Sequence, residues 1–154
     1  MFLVKDDPAE REKKILDFVL TEPAIAVILA AVHFEWTVRR AIIALGESSN
    51  IVIRKRLERC SGLGELKKAW KEEVKSPIQG SLAEVVSLWP KVRCAFKLRG
   101  RLVDGGRSTG SGYAADRVKW LLQAAGDIRQ LCETHKVNLH QTLPIRRKPS
   151  RLHP

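Results

Sequence analysis

Apolar residues recur along this chain every three or four positions, and no stretch alternates apolar and polar side chains for long enough to make a half-buried strand. The pattern predicts an all-α protein, a single helical bundle of about five to six helices. "DPAE" sets Asp7 as an N-cap, Pro8 at the first helical position and Glu10 three residues after the cap, so a first helix should run to about Leu20. Thr21 and Pro23 restart or kink it, and a long second segment continues to about Leu45. That segment is apolar on most sides. Ile25, Ile28, Val32 and Ile42 form one stripe and Val27, Ala31, Phe34, Val38 and Leu45 another, which predicts a helix in the middle of the domain.

"SSNIVIRKRLERC" and "GELKKAWKEEV" read as two shorter amphipathic helices with basic outer faces, the second burying Leu66, Trp70 and Val74. Ser81 and Glu84 make a capping box, and Pro90 opens another helix on which Val92, Ala95, Phe96 and Val103 share a face. The glycine-rich "GGRSTGSG" ends it. A last helix, about Ala114 to Val137, carries Val118, Leu121, Leu122, Ala125, Ile128 and Cys132 at helical spacing. Residues 1–140 are thus expected to form one helical domain. "LPIRRKPSRLHP", with its prolines and basic residues, makes 141–154 a basic, flexible tail.

Charge narrows the partners. With 28 Lys plus Arg against 17 Asp plus Glu in 154 residues, the formal charge is +11, which favours a polyanion. Cys60, Cys94 and Cys132 have no paired or zinc-like spacing and read as buried thiols in a reducing, cytoplasmic compartment. The N-terminus is too acidic for a signal peptide, and the longest apolar run is broken by Asp17, Glu22, Pro23 and His33, so no membrane span is expected. His33, His135, His140 and His153 show no metal-ligand spacing, "GGRSTGSG" lacks the lysine of a phosphate-binding loop, and no cofactor is implied. His33, alone on an apolar helix, reads as a hydrogen-bonded core residue. The tryptophans fall on different helices and suit packing better than base stacking.

Candidate chemistry gathers around "LRGRLVDGG". Arg99 falls on the inward stripe of its helix, whereas Arg93, Lys97 and Arg101 follow one another on an outer face. An inward arginine needs a partner. Glu35 and Arg39 continue the Ile28–Val32 stripe at the spacing of a favourable pair. Glu35, Arg39 and Arg99 therefore form either a buried ion network that fixes packing or a polar cleft in which Arg99 takes a phosphate.

Arg99, four intervening residues, Asp104 and then Gly105, at the end of a helix in a small basic helical domain, resemble the HEPN superfamily. Its motif runs from an arginine through a usually polar residue to a histidine, and many members are metal-independent endoribonucleases or toxins. The resemblance implies Arg99, Asp104 and Glu35 as the catalytic set, with Arg39, Arg93, Lys97, Arg101 and the loop residue Arg107 as RNA contacts. It also implies a homodimer that joins two motifs across a cleft, a place in a prokaryotic toxin–antitoxin or defence system, and a cognate antitoxin or other partner protein. The chain departs from the pattern at Gly100, where a polar residue is common, and at Asp104, where the histidine stands. A carboxylate is ionised above about pH 4, so beside an arginine it is a poor acid, a weak base and repels phosphate. The expected function is RNA binding with weak or lost cleavage. The alternatives are a non-catalytic homodimeric interaction module and a DNA-binding helical domain.

Overall fold

A computed structural model of the chain describes residues 7–75, 78, 80–106, 108–143, 145 and 146. Among them are helices α1 (Pro8–Thr21), α2 (Pro23–Leu45), α3 (Asn50–Glu58), α4 (Gly62–Glu73), α5 (Leu82–Val85), α6 (Trp89–Val103) and α7 (Ser111–Thr134), with no strand. The all-α bundle is as expected, with one or two more helices. Two local causes account for the extra ones. Glu22 leaves helical geometry ahead of Pro23, so α1 and α2 are separate. The Ser81–Glu84 capping box closes a single turn, α5, of its own.

Asp7 caps α1 as its sequence predicts, its side chain accepting the Glu10 N–H at 2.8 Å. Helix α2 is the hub. It packs most extensively on α7 and also against α1, α6, α3 and α4. Val27, Ala31, Phe34 and Val38 lie in the core, and Phe34 meets Phe96 of α6 edge to face at 5.9 Å. The stripe of Ile25, Val32 and Ile42 departs from expectation, because no helix among the described residues covers its first part: Ile25 and Val32 are each 42% exposed, while Ile42 is buried. At the end of α2, a Cβ on Gly46 would come within 2.6 Å of both the Ile42 carbonyl and the Ile53 side chain. Only glycine allows α3 to turn back so closely.

Helix α7 begins earlier than its apolar pattern suggests, at Ser111, and carries Val118, Leu121, Ala125, Ile128 and Cys132 into the core. Of the thiols expected to be buried, only Cys132 is; Cys60 is half-buried and Cys94 exposed. Burial pushes the Cys132 thiol up to about 12.

The stretch beyond α7 is held more firmly than a cationic tail. Leu139 and Leu143 are buried, and Arg40 of α2 donates to the carbonyls of Leu139 (2.5 Å) and Gln141 (2.8 Å). Arg146 then closes the end of α2, donating to the carbonyls of Ala44 (2.8 Å), Ile43 and Ser48 (3.3 Å). Those carbonyls include the last acceptors of a helix, which have no partner inside it. Residues 147–154 of the expected tail lie outside the described residues.

Helices α6 and α7 end alike. After α6, Gly105 at φ 71° donates to Leu102 and Gly106 to Arg101; after α7, Lys136 at φ 58° donates to Glu133 and Val137 to Cys132. One left-handed position holds glycine and the other a lysine, which pays a steric penalty there. Lys136→Gly is therefore expected to raise the unfolding free energy by about 0.5–1 kcal/mol and Gly105→Ala to lower it by about 1 kcal/mol. Urea titrations of the two variants read this directly, and midpoints that shift in the same direction would contradict it.

Candidate nucleic-acid interface

The "DGG" that follows Val103 is a helix stop. Asp104 is the exposed C-cap of α6 and Gly105 supplies the left-handed turn after it. Five residues earlier, Arg99 is half-buried, whereas Arg93, Lys97 and Arg101 are exposed. Arg99, Arg93 and Lys97 line a groove of about 490 Å³ between α6 and the start of α4, with Lys67, Trp89 and Phe96. Trp89, Arg93, Phe96 and Lys97 lie on one broad face of α6, since residues four and three apart neighbour each other on a helix. The edge-to-face contact of Phe96 with Phe34 ties that wall to the core.

Two features give the groove its electrostatic character. The first turn of α4, Gly62 to Gly64, forms the opposite lip, where the Glu65 carboxylate accepts the Ser61 N–H and offsets part of that helix's positive end. Among the described residues, none of Lys67, Arg93, Lys97 and Arg99 has an ion-pair partner, and the Arg99 Nε is buried without a hydrogen-bond acceptor. The described lining holds no carboxylate and no histidine.

The network of Glu35, Arg39 and Arg99 does not form. Arg39 instead donates to the carbonyls of Leu57 (2.5 Å) and Cys60 (2.8 Å), satisfying the C-terminal end of α3. Glu35 is half-buried, and among the described residues it pairs with neither arginine. Asp104, Glu35, Arg39 and Arg101 do not line the groove, and Arg107 lies outside the described residues. Of the residues read from the sequence as site residues, the fold gathers Arg93, Lys97 and Arg99. Trp89 and Phe96 were legible as neighbours of those residues on a helix face; Lys67 and the α4 lip depend on tertiary packing.

His33 and His140 lie elsewhere, in a polar cluster where α1, α2, α7 and the chain beyond α7 meet. His33 is buried as expected, its Nε2 3.4 Å from Glu12 Oε1, which is also 2.8 Å from Arg129 Nη1. Arg11 lies 3.1 Å from His140 Nδ1 and 4.0 Å over the Trp36 ring, on which His140 also stacks. Burial works to raise the Glu12 carboxyl, but its bond with His33 and the Arg129 charge together hold it below the ordinary value. Burial, then the nearby arginines, keep His33 low against the pull of Glu12. Burial, followed by Arg11, Arg129, Arg40 and His33, pushes His140 down to about 4. Among the described residues, no group of three or more His, Cys, Asp and Glu side chains is placed to hold a metal ion. No helix among them is long and apolar enough to cross a membrane.

Comparison with protein-family models, with curated proteins and with solved structures gave no match.

The cluster makes stability depend on pH. The unfolded chain protonates its histidines near 6.5, whereas the folded chain holds His33 lower and His140 at about 4, so the unfolded state binds more protons in between. Stability is thus greatest above about pH 6.5 and falls from there toward pH 4; Glu12, with its lowered value, adds a further loss below about 4.5. Urea midpoints at about pH 7.5, 6 and 5 should decline in that order, and His140→Asn should flatten the decline. A midpoint constant across that range contradicts the cluster's neutral histidines.

Proposed function

We propose that this protein binds RNA in the groove between the start of α4 and the outer face of α6, and that its Arg99–Asp104 stretch does not cut. One observation carries the reading: Lys67, Arg93, Lys97 and Arg99 share a groove whose described lining has no counter-charge, and the Arg99 Nε is buried without an acceptor. Clustered cations repel one another, and a polyanion relieves that repulsion while releasing its own counterions. RNA rather than DNA is what the HEPN resemblance adds.

The binding-only half follows from proton transfer. Metal-free RNA cleavage needs a group that takes the 2′-hydroxyl proton or protonates the leaving oxygen. The described groove lining has no imidazole or carboxylate, while Asp104 sits exposed at the helix end and His33 and His140 belong to the buried cluster. On this reading Arg99 positions phosphate, and the protein is an RNA-sensing component of a conflict system, as a homodimer or with a cognate partner. A second reading has one observation in its favour. Leu20 is 84% exposed at the end of α1, and Ile25 and Val32 are bare on α2, which suits an interaction module that binds protein instead.

Binding of a labelled mixed-sequence RNA in EDTA, followed by anisotropy between about 50 and 200 mM salt, separates the two. Phosphate contacts by the groove's cations give a slope of log K against log salt of about −0.7 per contact, or roughly −3 if all of them engage. Arg99→Ala should weaken binding severalfold and make the slope shallower by about 0.7 while the helical content stays the same. The unaltered chain should leave the RNA intact. RNA cutting by the unaltered chain that Arg99→Ala abolishes would overturn the binding-only half, and an absence of RNA binding by the folded protein would overturn the whole.

A further inference from the structure

Among the tryptophans, Trp89 stands apart. Trp70 is buried, with its indole N–H donating to the Gly80 carbonyl at 3.3 Å. Trp36 is covered by Arg11, Arg40 and the stacked His140, and Trp120 by Lys91 and Arg117. Trp89 is half-buried, lines the cationic groove, and among the described residues has neither a stacked ring nor a cation over its face. A half-buried indole packed against the core, in a groove that it shares with cations, is what a nucleobase with its own phosphate requires.

We infer that the groove takes single-stranded RNA, with one unstacked base against Trp89 and its phosphate on Lys97 and Arg99. The inference rests on the RNA-binding reading above and names the form of RNA. The groove's volume of about 490 Å³ lies in the range of sites for single small ligands, about 300–1,000 Å³. In a duplex the base faces are stacked on one another and closed to an indole, leaving only backbone and groove edges to contact.

The surface also offers the strand a way on. Across the turn between α3 and α4 lies a second depression of about 400 Å³, lined by Lys55, Arg59 and Lys68. Its other arginine, Arg56, is tied to Glu72 and Glu73, and Glu65 also lines it. Lys67 and Lys68, consecutive residues of α4, each line one of the two depressions, so a strand that reached both would bend around the start of that helix. Flexible single strands can follow such a bend, whereas a duplex is stiff over this distance.

The test compares a short labelled oligouridylate with a duplex RNA of equal length at fixed low salt, alongside the protein's own tryptophan fluorescence. The single strand should bind about tenfold more tightly than the duplex, and it should quench fluorescence in the unaltered protein far more than in Trp89→Phe. Trp89→Leu should weaken single-strand binding by about tenfold, within the range for losing one base–aromatic stack, and leave duplex binding and the salt slope unchanged. Trp89→Phe, which keeps a ring, should recover most of that affinity, and it serves with the quenching measurement if Trp89→Leu does not fold. Equal binding of both forms, or quenching that persists in Trp89→Phe, overturns this inference and leaves the RNA-binding reading standing. Binding of neither form ends both.

Discussion

The burial of α2 is the constraint from which the rest follows. A helix of 23 residues with a core-facing row from Val27 to Val38 must be wrapped on several sides, and α1, α7, α6, α3 and α4 all pack against it. Burial creates polar obligations, because its last carbonyls and any polar side chain along it lose water. Arg146 meets the first obligation by donating to Ile43 and Ala44, and Glu12 and Arg129 meet part of the second at His33. The chain beyond α7 is held where it is because the end of α2 needs Arg146 as a donor, Arg40 of α2 needs the Leu139 carbonyl as an acceptor, and Leu139 and Leu143 need cover.

What was legible in the sequence follows the range of each interaction. The Asp7 cap, the Ser81–Glu84 box and the glycine stop after α6 are formed by residues three to five positions apart, and all were readable. Arg146 was not, since a proline-rich cationic composition gives no sign of carbonyls a hundred residues earlier. The pairing of Glu12 with Arg129 spans almost the whole chain. Arg39 misled for a related reason: its spacing from Glu35 suits a helical pair, but such a pair is worth only about 0.2–0.5 kcal/mol, and its guanidinium instead meets two otherwise unmet carbonyls at the end of α3. The apolar side of α2 at Ile25 and Val32 reads as core on periodicity alone, and only the absence of a covering helix among the described residues shows otherwise.

The candidate site was half legible on the same grounds. One face of α6 carries Trp89, Arg93, Phe96 and Lys97, so the sequence contains one wall of the groove. The other wall is the start of α4, brought there by packing through α2 rather than by any direct signal. Arg99 joins the two because it sits at the edge of the inward stripe: near enough to the core to lose water from its Nε, far enough from it to reach the groove.

Asp104 stands at the exposed C-cap of α6. A carboxylate at the C-terminal end of a helix opposes the helix dipole, at a cost of about 0.3–1 kcal/mol, and a carboxylate near a phosphate site repels the ligand. A histidine at the same exposed C-cap would be neutral or favourable on both counts, and the stop itself depends on Gly105 rather than on residue 104. Neither helix termination nor anion binding therefore accounts for the aspartate. On the proposed reading, a carboxylate at this exposed C-cap supplies no imidazole to move a proton near neutral pH, while the cations five residues and more before it line the groove.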